Sequence, residues 1–151
     1  MKIFFLFLFI SFASYSQDGM ELIPQSQDSL DKHLQEFKYY RKQSAFDFEQ
    51  FPEIDKLTAS PMRRNIRGKL TGQTIILNSY YSQYPNLYRV NFLYLVGKYY
   101  GLQTINSDRL HVLSEQIDPK NEAIYKFRRS KKADIKTLIK LLEEYKPLRT
   151  K

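Results

Sequence analysis

The sequence predicts an α+β fold, and three features predict it. Residues 73–78 are rich in β-branched and aliphatic side chains, which favours a buried or half-buried strand. Residues 87–100 carry apolar side chains at three- and four-residue steps and are followed by Gly101, as in a helix that ends in a left-handed cap. Amphipathic helices are predicted on either side, at about residues 29–44 and 134–147. Helix, strand and glycine-ended helix in this order indicate a small α+β domain.

The composition limits the kinds of protein that this chain can be. With 151 residues, 42% hydrophobic and 15% aromatic, it can bury one core, so a single domain is expected. The chain contains no cysteine, which excludes disulfides, thiolate metal sites, a thiol nucleophile and a lipidated N-terminal cysteine. Its stability must therefore come from packing.

Residues 1–16 have the pattern of a signal peptide. Lys2 supplies a positive charge, residues 3–13 are almost wholly apolar, and small residues at Ser14 and Ser16 predict cleavage after Ser16. The alternative is an uncleaved anchor, but a run of roughly 11 apolar residues is shorter than the ~20 that span a bilayer. The mature protein is therefore predicted to be secreted or periplasmic, and not transmembrane.

Basic residues are concentrated in the C-terminal third. The formal net charge is +8. Residues 17–118 carry 12 basic and 12 acidic groups, whereas residues 119–151 carry 11 basic and 4 acidic groups. This asymmetry is typical of a surface that binds polyanions, or of a solvated basic face on helices that pack through their other side.

Composition also predicts the domain boundaries. Residues 17–27 are polar and aperiodic, which indicates a flexible lead-in. A single domain is predicted over residues 28–147, with residues 148–151 as a tail. Its first helix begins at Asp28 or Ser29, either of which can cap it.

Shorter elements are predicted between this helix and the strand. Phe46, Phe48 and Phe51 alternate with other residues, as in a short extended piece. A short strand is predicted at residues 54–58. Residues 59–69 are rich in turn-forming and basic residues and are predicted to be a surface loop.

The second half of the chain is predicted to be mainly helical. Asn86 is positioned to cap the helix at residues 87–100. Asp118 and Pro119 are predicted to start a short helix that ends near Ser130. The last helix is predicted to bury a stripe of apolar side chains: Ile135, Leu138, Ile139, Leu142 and Tyr145.

The long central helix carries the most specific pattern. From Tyr94 to Thr104 the sequence reads Tyr-Leu-Val-Gly-Lys-Tyr-Tyr-Gly-Leu-Gln-Thr. This segment resembles the zinc helix of the metzincin peptidases, and of matrixin-like members in particular, which carry the motif HExxHxxGxxH. The non-ligand positions of the motif match at Gly97, Gly101 and Leu102, and at the aromatic pair between the two glycines.

The resemblance extends to both sides of this helix. The family places a strand ahead of it, as residues 74–78 are here, and a Met-turn after it. The run from His111 to Ser114 resembles that turn, with Leu113 in place of methionine. The resemblance covers roughly residues 72–117. It implies a zincin-like small domain with a mixed sheet, an active-site-type helix and C-terminal helices, one of which packs beside the active-site-type helix.

All four chemical positions of the motif are substituted. Tyr94, Lys98 and Thr104 replace the three histidines, and Leu95 replaces the glutamate that activates water. Zinc needs about three imidazole or carboxylate ligands, and leucine cannot accept a proton. The resemblance therefore implies a degenerate, non-catalytic member without metal or other cofactor. The alternative is an ordinary amphipathic helix that ends at a glycine.

Lys98 raises a separate question. In a metzincin-like fold its ammonium group would point into the former metal site, and a buried ammonium is costly unless it is paired. We hypothesise that it stands in for zinc as an electrostatic centre, held by Tyr94 and by Asp108 or Glu115. The alternative is a surface lysine on the polar side of the helix.

Two classes of function remain open. The first is a peptidase-like protein that binds a peptide or protein partner without cleaving it, in a residual cleft. The residues proposed to line this cleft are Tyr80, Tyr81, Tyr99 and Tyr100. The second is a basic extracytoplasmic module that docks on an acidic polymer or surface through residues 126–140. Its candidate contacts are Arg128, Arg129, Lys131, Lys132 and Lys136.

Overall fold

A computed structural model of the chain describes residues 27–44, 53–128 and 131–144. The α-helices are α1 (Gln27–Lys42), α2 (Pro85–Tyr99) and α3 (Ile135–Glu144). The strands are β1 (Lys56–Ser60), β2 (Gly68–Thr71), β3 (Thr74–Asn78), β4 (Lys126–Arg128) and β5 (Lys131–Lys132). Single 3-10 segments lie at Ser79–Gln83 and Pro119–Ile124.

The first three strands form a mixed sheet with β3 in the centre. β1 runs parallel to β3 with Lys56 opposite Thr74, and β2 runs antiparallel to β3 with Gly68 opposite Leu77. Ile75 and Leu77 alternate along β3 and are fully buried, because α2 packs on β2 and β3. The predicted α+β class is confirmed, as are the strands predicted at residues 54–58 and 73–78, within two residues.

The prediction of a loop throughout residues 59–69 is wrong at both ends. β1 continues to Ser60, and β2 begins at Gly68. β2 and β3 form a tight hairpin around Gly72, whose φ of 57° lies in the left-handed region that favours glycine. A Cβ at Gly68 would collide with the Ile76 carbonyl oxygen and the Leu95 side chain, so this glycine lets β2 lie close against the core.

α2 is the buried centre of the domain. Pro85 occupies its first turn, where a missing N–H is harmless. The prediction that Asn86 caps the helix is wrong, because Tyr84 occupies the N-cap position without a side-chain cap. The Glu122 carboxylate instead accepts a hydrogen bond of 2.9 Å from the Leu87 N–H. An acid from a distant segment therefore supplies the stabilising negative charge at this helix end.

The other end of α2 confirms the predicted glycine cap. Gly101 has a φ of 95°. The Leu102 N–H donates to the Gly97 carbonyl at 2.9 Å, and the Gly101 N–H donates to the Lys98 carbonyl at 3.1 Å. These two bonds are the pair that defines a Schellman motif, and they turn the chain back along the helix after Gly101.

α1 and α3 pack against each other and close the core around the sheet and α2. α1 buries the side chains of Leu30, Leu34 and Phe37. Asp134 caps α3 by accepting a hydrogen bond of 2.8 Å from the Thr137 N–H. α3 contacts α2, and four of the five side chains predicted for its apolar stripe are buried: Ile135, Leu138, Ile139 and Leu142.

The helix predicted from Asp118 to Ser130 is wrong. Only a 3-10 segment forms there, and β4 follows and pairs with β5 in an antiparallel hairpin. β4 also bonds to the preceding loop, since the Val112 N–H donates to the Lys126 carbonyl at 2.8 Å and the Lys126 N–H donates to the Leu110 carbonyl at 3.0 Å. Tertiary pairing overrides the local helical pattern.

Some predictions fall outside the described residues. These are the signal peptide, the lead-in up to residue 26, the three phenylalanines between 46 and 51, Arg129, Tyr145 and the tail. None of the helices in the described ranges has both the length and the apolar character that crossing a bilayer requires.

Candidate functional site

The structure brings together part of the substituted motif. The Lys98 ammonium donates a hydrogen bond of 3.0 Å to the Thr104 hydroxyl. The Schellman turn after Gly101 produces this contact, because it directs the following residues back along α2. Two of the three positions that correspond to zinc ligands in the resembled family are therefore adjacent.

The turn from His111 to Ser114 lies directly against α2. The His111 Nδ1 accepts a hydrogen bond of 3.0 Å from the Leu113 N–H, and the His111 carbonyl accepts one of 3.0 Å from the Ser114 N–H. A Cβ at Gly97 would lie 3.0 Å from Leu113 Cδ2 and 3.2 Å from Leu102 Cδ1. Leu113 therefore packs into the space that the absent Gly97 side chain leaves.

The counter-ions proposed for Lys98 are not in contact with it in the described part of the chain. Its ammonium is half-buried and bonded to Thr104, so it does not project freely into water. Glu115 pairs instead with Asn106, and the Asp108 carboxylate accepts from the Leu110 N–H. The proposal that a carboxylate holds Lys98 is therefore corrected: in the described residues its hydrogen-bond partner is a hydroxyl.

Tyr94 lies in a different environment, beside an arginine that the sequence did not single out. The guanidinium carbon of Arg67 lies 4.7 Å from the Tyr94 ring centroid and 5.4 Å from that of Tyr125. Arg67 is only 4% exposed. It donates to the Asn91 side-chain oxygen at 3.0 Å and to the Gln116 carbonyl at 2.7 Å. The charge is thus stabilised by two aromatic faces and two neutral oxygens.

Two polar groups of this cluster lack a hydrogen-bond partner in the part of the chain that the structure describes. They are the Nε of Arg67 and the side-chain nitrogen of Asn91. In the same residues, no carboxylate lies within ion-pair distance of Arg67. Burial lowers the pKa of the Arg67 guanidinium, while Tyr125 and Tyr94 act in the opposite direction. Arginine nevertheless stays charged in proteins, so the cluster holds a buried, uncompensated cation.

Two neighbouring cavities open beside this cluster. One, of about 300 Å³, is lined by Asn65, Ile66, Arg67, Gly68, Tyr94 and Glu115. The other, of about 450 Å³, is lined by Arg64, Asn65, Tyr81, Glu115, Gln116 and Ile117. Because they share Asn65 and Glu115, they form one groove, which begins where β2 begins and passes Tyr94 of α2. We call it the β2 groove.

The edge of the sheet leads into the β2 groove. The Asn78 N–H donates to the Arg67 carbonyl at 3.0 Å, which makes these two a hydrogen-bonded pair of the antiparallel ladder. Such pairs alternate with non-bonded ones, so the backbone groups of Gly68 and Leu70 face away from β3. Among the described residues no strand lies beyond β2, and Leu70 is 37% exposed. In the described part of the chain, β2 therefore presents backbone donors and acceptors that no further strand pairs.

The four tyrosines proposed to line one cleft lie at two separate places. Tyr80 and Tyr81 precede α2, and Tyr81 lines the β2 groove with its hydroxyl bonded to the Arg64 carbonyl. Tyr99 and Tyr100 lie at the opposite end of the helix. Tyr100 is 2% exposed, and burial raises the pKa of its hydroxyl. Of these four tyrosines, Tyr81 is the one that lines the β2 groove.

The other motif residue and the basic residues are placed as follows. Leu95 is buried against the glycine at the start of β2. Lys131 and Lys132 form the exposed strand β5, in which Lys131 is opposite Arg128 and Lys132 is opposite Lys126 of β4. Lys136 is exposed on α3, with its ammonium 5.7 Å from the Tyr40 ring.

Neither a metal-binding arrangement nor a relative identifies the site. Among the described residues, no group of three histidine, aspartate or glutamate side chains is placed to hold a metal ion. No protein-family model, curated protein or solved structure matches the chain. The geometry of the β2 groove and its surroundings is therefore what indicates the function of this protein.

Proposed function

We propose that this is a secreted, non-catalytic, metzincin-like protein that binds an extended peptide segment of a partner in the β2 groove. The observation that supports it most is the outer edge of β2, which no other described strand pairs and which begins at Gly68 in the wall of that groove. An extended peptide can add to such an edge as a further strand, with backbone bonds giving affinity and adjacent pockets giving specificity. Gly68 belongs to both the edge and the groove.

The arrangement around α2 supports the metzincin-like part of the proposal. Lys98 and Thr104 are in contact, as the corresponding ligands would be. The turn at Leu113 packs beneath the helix at Gly97, where the resembled family has its Met-turn. α3 packs beside α2, and the sheet edge lies alongside the same helix. These contacts join segments that would also lie together in the resembled family.

The substituted chemistry supports binding without cleavage. At the position of the family's general base, Leu95 is 4% exposed and packs under β2, so it can neither hold a water nor accept a proton. Lys98 presents an ammonium group, which has no lone pair for a metal. In this proposal the cleft keeps an edge that can pair with a peptide strand and lacks the groups that would cleave the peptide.

The experiment that tests the proposal uses a display library of random linear peptides and the folded protein. Peptides selected on the wild type should bind at least about tenfold more weakly to Leu70→Pro, because proline removes an outward-facing N–H and leaves the β2–β3 ladder intact. Leu70→Ala is the matched control, since it removes the side chain and keeps the N–H. Selected peptides that bind Leu70→Pro as well as wild type would refute strand addition on β2.

A second candidate function rests on the exposed lysines of β5 and α3. Lys131, Lys132 and Lys136 are exposed, and in the described part of the chain none of them lies within ion-pair distance of a carboxylate, which would suit an acidic polymer. Binding of heparin that falls steeply with added salt, and that is lost when these three lysines are replaced by glutamine, would support this candidate. Peptide binding in the β2 groove should be much less sensitive to salt.

A further inference from the structure

The buried cation beside the β2 groove requires an explanation beyond strand pairing. Arg67 is only 4% exposed, and its Nε has no hydrogen-bond partner among the described residues. The residue lines the 300 Å³ cavity. Charged side chains are almost never fully buried unless they are paired. Within residues 27–44, 53–128 and 131–144, the guanidinium therefore lacks the anion that a buried arginine normally has.

Its surroundings hold the guanidinium in place without neutralising it. Asn91 and the Gln116 carbonyl fix one terminal nitrogen each, and the ring centroids of Tyr94 and Tyr125 lie 4.7 and 5.4 Å from the guanidinium carbon. These contacts restrict the side chain of this cavity-lining residue to one orientation. A preorganised donor group of this kind loses little entropy when it binds an anion.

We infer that Arg67 is the receptor for a carboxylate of the bound peptide, which enters the cavity between Gly68 and Tyr94. This inference rests on the proposed function, because the bound peptide is the source of the carboxylate. Recognition of the carboxylate depends only on the Arg67 cluster. A strand paired on β2 would end or pass beside Gly68 and bring either its C-terminal carboxylate or an acidic side chain to the cavity.

The charge of the site favours a carboxylate over a phosphate. Among the described residues that line the 300 Å³ cavity, Arg67 is the only cation and Glu115 the only anion, while Arg64 lines the adjoining cavity. One guanidinium can balance a single negative charge in the planar, two-bond geometry that carboxylates prefer. A phosphate monoester carries up to about two negative charges, and the nearby Glu115 would repel it.

The test follows the Arg67 Nε–H resonance of the full-length folded protein by NMR while small probes are added. N-acetylglycine should cause a saturable shift at about millimolar concentration, as expected for a fragment, and its uncharged analogue N-acetylglycinamide should cause none. The α-amide of N-acetylaspartate tests the side-chain source. Preference between the two acids shows whether the groove recognises a chain end or an internal acidic residue.

Variants separate recognition of the carboxylate from stability of the fold. Arg67→Lys keeps the charge and loses the planar pair of donors, so probe binding, followed through backbone amides, should weaken by about tenfold or more. Glu115→Gln should tighten binding, because a like charge on the cavity wall is removed. A folded Arg67→Lys protein that binds N-acetylglycine as tightly as wild type would overturn the inference.

The outcomes also distinguish this inference from the proposed function. Small acids do not need the β2 edge, so Leu70→Pro should bind N-acetylglycine unchanged. One outcome is that peptides bind by strand addition to β2 but N-acetylglycine and N-acetylglycinamide have the same effect on the Arg67 Nε–H resonance. Strand addition is then supported, and the assignment of Arg67 as a carboxylate receptor is wrong. If N-acetylglycine binds at Arg67 but no peptide binding depends on Leu70, the receptor stands and strand addition is wrong.

Discussion

Asn78 and the pair Arg67–Asn91 are both buried polar sites, and they differ in how fully their hydrogen bonds are made. The Asn78 side chain is 0% exposed. Its oxygen accepts from the N–H groups of Met62 and Tyr80, and its nitrogen donates to the carbonyls of Arg63 and Ile66, at 2.7–3.1 Å. Those four bonds use the full capacity of an asparagine. Arg67 and Asn91 share one bond and leave nitrogens unpartnered among the described residues.

This difference indicates that the two sites have different roles. A fully satisfied buried group fixes the backbone around it, and Asn78 fixes the loop that delivers Arg67 to the groove. A buried polar group without a hydrogen-bond partner lowers the free energy of unfolding. We therefore expect the Arg67–Asn91 pair to have a role other than stabilising the fold. The loop that Asn78 fixes and the arginine of the candidate site are thus consecutive along the connection between β1 and β2.

The largest effect is expected at Asn78. Asn78→Ala removes all four side-chain hydrogen bonds and leaves partly buried backbone groups without partners, which should lower the free energy of unfolding by about 3 kcal/mol or more. Urea unfolding followed by circular dichroism measures the change. Asn86→Ala is the matched control, because Asn86 is exposed and should alter stability by less than about 0.5 kcal/mol. Equal effects of the two substitutions would contradict the assignment of Asn78 to the scaffold.

An intermediate effect is expected when the Arg67 cluster is changed. Arg67→Met alone removes the donor to the Asn91 side-chain oxygen, whereas the Gln116 carbonyl keeps its hydrogen bond from the Tyr125 hydroxyl. The substitution should cost about 1–3 kcal/mol. The double change Arg67→Met with Asn91→Leu removes both polar partners, and apolar replacement of a buried polar pair is often neutral or stabilising. The double variant should therefore unfold within about 1 kcal/mol of wild type.

The double variant is the decisive comparison with Asn78. If it loses as much stability as Asn78→Ala, then Arg67 is a structural residue like Asn78, and the contrast between the two sites disappears. If it is as stable as wild type and no longer binds N-acetylglycine, stability and binding have been separated at one residue.

The same contrast explains what the sequence could predict. The strand that ends at Asn78 and the helix stop at Gly101 are local patterns, and both were predicted. β2 was missed because Lys69, Leu70 and Thr71 have no buried face to give a periodic signal, although Gly72 followed by a β-branched run is a recognisable hairpin signal.

The candidate site was harder to predict because its contacts are distant along the chain. Arg67 bonds to residues 24 and 49 positions away, and its segment is basic and rich in turn residues. In such a segment an arginine is normally solvated. Tyr94, in contrast, was singled out for its place in the motif, and the structure gives it a partner that the motif could not indicate.

The smallest effect is expected at the contact between Tyr94 and Arg67. Tyr94→Leu removes the aromatic face that lies 4.7 Å from the guanidinium carbon, whereas Tyr94→Phe keeps it. A double-mutant cycle between Tyr94→Leu and Arg67→Met, measured by urea unfolding, should give a coupling energy of about 0.5–1 kcal/mol. The cycle with Tyr94→Phe should give a coupling near zero, because the ring is retained. Coupling that is equally large with phenylalanine would mean that the hydroxyl, and not the ring, holds the cation. Arg67 would then be held by hydrogen bonds as Asn78 is, and the case for an uncompensated charge at the groove would weaken accordingly.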